Sequence, residues 1–333
     1  MLAFLIAMTG LAALAGVAPR VGRVLAGGFG AGVPGALLVA AATLWVPLGI
    51  IDARRCTRET NLRAQVEADL ERHGYLTRLN ELELASMRTD VERSLASGGP
   101  AIVYQPIVDM ASGAVVGYEA LSRFPDERPP DQWFERAARV GLGVELELAV
   151  VRWALEGLPS LPTTAYLSVN ISPATLCDPR LYDAIGVDSA GRVVVELTEH
   201  VPLDDYCQYR EAMLRLRMIG VRLAIDDAGS GYSSFRHIVD LKPDIIKIDG
   251  SLVHGVHLDP SRRSLMIAFV SFANDLGATL VAECVEVSEE AEVLRKWGVR
   301  YGQGWHYGRP QLLAAMQESD PADGRRAEAE PSH

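Results

Sequence analysis

Two charge-free stretches open the chain, Met1 to Ala18 and Val24 to Ile51, with Arg20 and Arg23 between them. Each is long enough to span a bilayer, since a hydrocarbon core of about 30 Å takes about 20 helical residues. The expected spans are about 1–18 and 30–51. The second, Val33 to Ile51 in particular, carries the stronger signal, and the first also reads as a secretory signal without the basic n-region such signals carry. Arg54, Arg55, Arg58 and Arg63 follow the second span, against two arginines between the spans. That excess places the C-terminal side in the cytoplasm. Residues 1–56 are thus expected to form a transmembrane hairpin.

From Thr57 to Ala96 the chain becomes charge-rich and lacks proline, and Leu62, Val66, Leu70, His73, Leu76 and Leu79 recur at three- and four-residue steps. This spacing predicts a linker helix over 57–96, either a single amphipathic helix or one that pairs with its copy as a coiled coil. Ser97-Gly98-Gly99-Pro100 ends it. Beyond it, eight short apolar or β-branched runs alternate with amphipathic segments: AIVYQPIVD, AVVGYEALSR, TAYLSVNIS, RVVVELTE, VRLAIDD, DIIKID, ATLVAEC and VRYGQG. Helical patterns include Pro130 to Gly141, Leu203 to Arg217 and Pro260 to Leu276. The fold expected over 97–316 is an α/β, (β/α)8 TIM-like barrel. Only Met110 to Gly113 separate the first two runs, which suits a hairpin, so one barrel strand should be antiparallel. The polar stretch 317–333 reads as a disordered tail.

Composition narrows the chemistry. Apolar residues make up 49% of the chain and the formal net charge is −11. The chain can bury a large core, and it carries no basic stripe of the kind a nucleic-acid polymer requires. Its four cysteines, Cys56, Cys177, Cys207 and Cys284, form no CxxC pair, and its seven histidines show no metal-ligand spacing. Neither a disulfide framework nor a zinc site is indicated.

The polar residues on the strand map are more informative. Glu119, Asn170, Glu196, Asp226, Asp227, Lys247, Asp249, Glu283 and Gln303 fall at or near the C-terminal ends of expected strands, and in a barrel those ends share one mouth. A lone strand-end acid is ordinarily a helix cap or half of a surface ion pair. Seven strands ending alike strain that explanation, because so many carboxylates at one rim repel unless a cation sits among them. Carboxylate and amide oxygens without histidine favour Mg2+ or Mn2+ over zinc. Two such ions suit in-line phosphoryl displacement. A glycosidase, which needs only a carboxylate pair, would leave Asn170, Asp227, Lys247 and Gln303 without a purpose.

These segments also form an ordered series: YQPIVD, Glu119-Ala120-Leu121 with Arg123, NIS at 170–172, ELTE at 196–199, DDAGSGYSS at 226–234, KPDIIKID at 242–249, AECVE at 282–286 and GQGWHYGRP at 302–310. Over about residues 87–315 the chain resembles the EAL domain of cyclic-di-GMP phosphodiesterases. The resemblance implies hydrolysis of cyclic di-GMP to linear pGpG with two Mg2+ or Mn2+ ions in a bacterium; the apolar spans add a place at the inner membrane, and a homodimer is expected. By the same resemblance, Glu119, Asn170, Glu196 and Asp226 ligate one ion, Asp227 bridges and Asp249 assists the second. Lys247 orients the attacking water, Glu283 is the candidate base and Gln303 completes the inner site. Gln105, Leu121 and Arg123 contact guanine and phosphate, although Arg123 also reads as an ion-pair partner of a nearby acid. Glu199 and Glu286 support the loop after the fifth strand. Three residues depart from the family pattern: Ala228 replaces a phenylalanine anchor, Cys284 a glycine and Trp305 a tyrosine, the last two read as packing variants. The rival reading is a slow or inactive EAL domain acting as a cyclic-di-GMP receptor or interaction module. Retention of the whole acidic set favours the enzyme.

Overall fold

A computed structural model describes residues 65, 75–126, 128–198, 206–229 and 233–318. The expected spans, linker residues 57–64 and 66–74, and Glu199 lie outside the described residues. The chain divides into two compact units, Met1–Glu83 and Leu84–His333, and the strands all belong to the second. Helix α1, residues 75–96, enters this unit at Leu84. Val91 of α1 packs with Phe124, Trp133, Ala137 and Leu146. Around that apolar contact the Asp90 carboxylate accepts a hydrogen bond from Arg136 at 2.9 Å, and Arg88 donates to the Val140 carbonyl at 3.1 Å.

Eight strands close into a barrel in chain order. They are β1 (Ala101–Asp109), β2 (Val115–Arg123), β3 (Tyr166–Ile171), β4 (Val193–Thr198), β5 (Arg222–Ala228), β6 (Ile245–Ile248), β7 (Thr279–Ala282) and β8 (Tyr301–Gln303). β1 runs antiparallel to both β2 and β8, and every other neighbouring pair is parallel. The short β1–β2 turn makes this possible: the Asp109 carboxylate accepts the Ala111 and Ser112 N–H groups at 3.0 Å, and Gly113 takes a positive φ of 74°.

Parallel neighbours need crossover segments. These contain α2 (Pro130–Arg139) and α3 (Gly143–Glu156), then α4 (Pro173–Cys177), α5 (Arg180–Ile185) and α6 (Val187–Ala190), then α7 (Tyr206–Met218) and α8 (Ser233–Leu241). After β6 come α9 (Gly250–Val253) and α10 (Pro260–Leu276), then α11 (Ser288–Trp297) and finally α12 (Leu313–Glu318). The bounds of α10 match the sequence pattern because both ends carry local signals. Asp259 caps the Ser261 and Arg262 N–H groups, Pro260 starts the helix, and Gly277 at φ 72° ends it. Gln317 and Glu318, assigned to the tail by their polarity, instead complete α12.

Two apolar layers hold the barrel. Outward-facing Leu167, Val169, Val195, Leu223, Ile225, Ile246, Ile248 and Leu280 join the main core with residues of the surrounding helices. Inside, Ile107, Tyr166, Val194, Ala224, Ile245 and Val281 form a separate cluster from six strands. That inner plug sets the level on which the site is built.

Candidate functional site

Side chains on a strand alternate faces with a period of two, so the residue two positions from an inward plug residue also faces inward. Val194 leads to Glu196, Ala224 to Asp226, Ile245 to Lys247, Val281 to Glu283 and Tyr301 to Gln303. Tyr166 leads through the buried Ser168 to Asn170, and on the reversed strand β1 Ile107 leads back to Gln105. The apolar plug is thus capped by a polar layer.

At its centre is Lys247, 1% exposed. Its Nζ lies 2.6 Å from Glu283 Oε1, 2.8 Å from Glu196 Oε2, 3.2 Å from Asp226 Oδ1 and 3.3 Å from Glu119 Oε2. Glu119 is the best-solvated acid by protein groups: Oε1 accepts Asn170 Nδ2 at 2.7 Å, and Oε2 accepts Gln303 Nε2 at 2.6 Å besides the lysine. Gln303 Nε2 also reaches Gln105 Oε1 at 3.1 Å, and Gln105 donates to the Gly308 carbonyl at 3.2 Å. Contrary to the expected strand-end position, Glu119 sits in the middle of β2. The reason is that β2 continues to Arg123 against antiparallel β1, beyond Ala120, where its pairing with β3 stops.

One ammonium facing four acids splits their titration. Burial pushes Glu119 up, but Lys247 and the amide donors of Gln303 and Asn170 outweigh it and hold its carboxyl below the usual value. Glu196 is pushed up to about 8 by burial, against Lys247, with Glu119 and Asp226 adding to the rise. Burial likewise lifts Glu283 well above a normal carboxyl, against Lys247 and with Asp226 and Glu119 contributing. Burial works against the charge on Lys247, and the four surrounding acids more than restore it, so its pKa rises.

The acids form two groups compatible with shared ions: Glu119, Glu196 and Asp226, and Asp226, Asp227 and Glu283, each with ligand oxygens within 4.8 Å of one another. Asp226 belongs to both. Asp227 joins because β5 shifts register between Ile225 and Ala228 and Asp227 adopts φ 55°, which breaks the alternation that would otherwise separate two consecutive acids. Asp226 Oδ1 is buried with the Lys247 ammonium 3.2 Å away but no hydrogen bond, and Gln303 Oε1 is buried without a hydrogen-bond donor. Excess carboxylate and unsatisfied buried oxygen are what hard divalent cations relieve, so the residues present fit a divalent metal site.

The remaining expected residues are placed less centrally. Asp249 lies in neither carboxylate group; its Oδ1 accepts the Ser251 N–H at 3.0 Å and the Ser251 hydroxyl, capping α9. Leu121 is half-buried, and exposed Arg123 donates to the Ser122 carbonyl at 2.9 Å rather than to a nearby acid. Glu286 has an exposed side chain, whereas its backbone N–H is bound by Glu290. Trp305 is 59% exposed beneath the Arg309 guanidinium, 4.5 Å from its ring centroid, so it is a surface aromatic and not a packing variant. Cys284 keeps the backbone shape of a glycine at φ 51°, with its side chain against Gly250 beside Asp249. Ala228 is fully buried, extending β5 opposite Ile248. Sequence reasoning missed two acids that brace site loops, the half-buried Glu147 and the buried Glu290. Glu147 accepts the Ser172 N–H at 2.7 Å just beyond Asn170, and Glu290 sits at the third position of α11, where an acid back-bonding to the helix start is a recognisable pattern.

The fold and site define a (β/α)8-type barrel whose mouth gathers carboxylates for divalent ions around a buried lysine. Residues 88–310 match the EAL domain family model, and the chain belongs to that family. It is 32% identical over 219 residues to the probable cyclic di-GMP phosphodiesterase PdeB of Escherichia coli K12, covering 62% of this chain and 42% of the relative. It is 29% identical over 233 residues to the cyclic di-GMP phosphodiesterase PA2567 of Pseudomonas aeruginosa, covering 65% and 39%. The chain thus spans about two fifths of those relatives. Among solved structures it is similar to Klebsiella pneumoniae BlrP1 in complex with manganese and cyclic di-GMP, with 32% identity, TM-score 0.58, and coverage of 64% of this chain and 56% of that one.

Proposed function

We propose that the chain hydrolyses cyclic di-GMP to linear 5'-pGpG with the help of two divalent ions, Mg2+ or Mn2+, and so lowers the level of that messenger in a bacterial cell. The observation that carries this reading is the meeting of Glu119, Glu196, Asp226, Asp227 and Glu283 around Lys247 at one barrel mouth. The named activities of the two relatives and the manganese and cyclic di-GMP held by the Klebsiella protein support it.

In this reading Glu119, Asn170, Glu196 and Asp226 would hold one ion, and Asp227 would serve both ions, with Asp249 assisting at the second. When bound, the ions supply Lewis acidity to water and to the phosphoryl oxygens. Lys247 orients the attacking water through its ammonium. Glu283, 2.6 Å from that ammonium, is the candidate base for the water's proton. Gln303 holds Glu119 and Gln105 in register, while Gln105, Leu121 and Arg123 receive guanine and phosphate. An arginine fork suits the phosphate because it pairs two oxygens at once.

For the whole chain we propose a multi-pass anchor in residues 1–56, a homodimer joined through the 57–96 helix, and a cytoplasmic catalytic unit at the inner membrane. Among the described residues no helix is long and apolar enough to cross a membrane, and the expected spans lie outside them. Membrane fractionation tests the anchor: the chain is expected in the membrane pellet after a high-salt wash, and release into the supernatant contradicts it. Incubation of purified chain with cyclic di-GMP and Mn2+, followed by chromatography of the nucleotides, tests the activity. Accumulation of pGpG is expected; tight binding without product would favour the receptor instead.

A further inference from the structure

The carboxylate of Glu290 joins two loops that follow different barrel strands. It is 1% exposed. Oε1 accepts the Gly255 N–H at 2.7 Å, while Oε2 accepts the N–H groups of Glu286 at 3.1 Å and Val287 at 3.4 Å. Gly255 lies two residues beyond α9, which Asp249 caps, and Glu286 lies three residues beyond Glu283. The side chain therefore ties the segment after Asp249 to the segment after Glu283. Other contacts tighten the same seam. A Cβ on Gly250 would come within 2.7 Å of the Cys284 Cβ, and Glu283 N–H donates to the Ile248 carbonyl at 3.2 Å. Near Glu290, His254 Nδ1 stands 3.7 Å from Oε1.

We infer that Glu290 is a positioning residue for the second ion: its two oxygens fix the Glu283 loop against the α9 loop, and so set the spacing of Asp226, Asp227 and Glu283. This rests on the metal-dependent reading of the site. A carboxylate suits the task because both oxygens accept. Glutamine, nearly isosteric, offers one acceptor, and its NH2 would face a backbone N–H, so one of the two loops must let go. The effect reaches the ion through ligand placement, as outer groups do in other metal sites.

The test is calorimetric titration of the purified, metal-stripped full chain with Mn2+ alone, alongside Glu290→Gln, Glu290→Asp and Asp259→Ala. Asp259→Ala removes a cap of α10 and none of the hydrogen bonds that Glu290 makes. The wild-type chain should bind two ions. Glu290→Gln should keep the first affinity and weaken the second by about 10- to 100-fold, with kcat falling more than KM changes. Glu290→Asp, a methylene shorter, should show the same pattern and serves if Glu290→Gln does not fold. Asp259→Ala should lower thermal stability and leave both affinities alone. Unchanged second-ion affinity in the Glu290 variants, or an equal loss in Asp259→Ala, overturns the role of Glu290 while the two-ion site stands. Failure of the wild-type chain to bind Mn2+ overturns the site reading and this inference together.

Discussion

The Lys247 ammonium and the Glu283 carboxylate meet at 2.6 Å in the interior of the barrel mouth, and three further acids close around the same nitrogen. Removing one partner of a buried ionic group leaves the rest uncompensated, which typically destabilises by about 3–5 kcal/mol. Lys247→Met should therefore lower the stability of the metal-free chain on that scale in urea denaturation, abolish turnover, and recover part of the lost stability when Mn2+ is added. Wild-type stability in the variant would mean that the acids are protonated throughout and the ammonium is not their counter-charge.

The cluster also gives stability a particular pH dependence. Glu196 titrates at about 8 in the folded chain against an ordinary value of 4.5, and Glu283 is raised as well. Between those values the folded state keeps protons that the unfolded chain has shed. The proton count is then higher in the native state, so unfolding free energy falls as pH rises. In EDTA, stability should decline from about pH 5 to about pH 8, on the order of 1 kcal/mol per pH unit for each such group. Ligating oxygens must lose those protons, so Mn2+ affinity should rise over the same window. A metal-free stability that climbs with pH across this range would contradict the assignment.

Cys284 occupies a left-handed conformation at φ 51°, which disfavours a side chain. Cys284→Gly should stabilise the protein by about 1 kcal/mol, relief of strain exceeding the added freedom of the unfolded chain. Thermal melting checks it. A lower melting temperature would show that the contact of Cys284 with Gly250 outweighs the strain.

Much of this architecture is legible in the residues themselves. The eight strands declare themselves because β-branched runs with turn residues between them leave little alternative, and α10 is bounded by Asp259, Pro260 and Gly277. The strand-end acids can be placed at one mouth because barrel topology makes chain-distant positions converge. What stays hidden depends on interactions between segments. The register shift that turns Asp227 inward has no glycine to announce it. The central position of Glu119 in β2 arises from pairing with β1, which residue types alone do not show. Asp249 as a cap and the bond of Glu290 to the start of its own helix follow recognisable local patterns, whereas the tie from Glu290 to the Gly255 N–H joins distant segments, which no side-chain pattern reveals.

Ions held by the Glu119, Glu196 and Asp226 group are proposed to drive cleavage of cyclic di-GMP, and every other role assigned to the barrel mouth depends on them. The most direct measurement is the rate of pGpG formation by the purified full chain as a function of Mn2+, compared with Glu119→Gln. The wild-type rate should rise from background to saturation with added Mn2+ and vanish with EDTA, and Glu119→Gln should lose at least about 100-fold at saturating metal while keeping its fold by circular dichroism. Turnover that persists in EDTA, or a Glu119→Gln variant as active as the wild type, would contradict it.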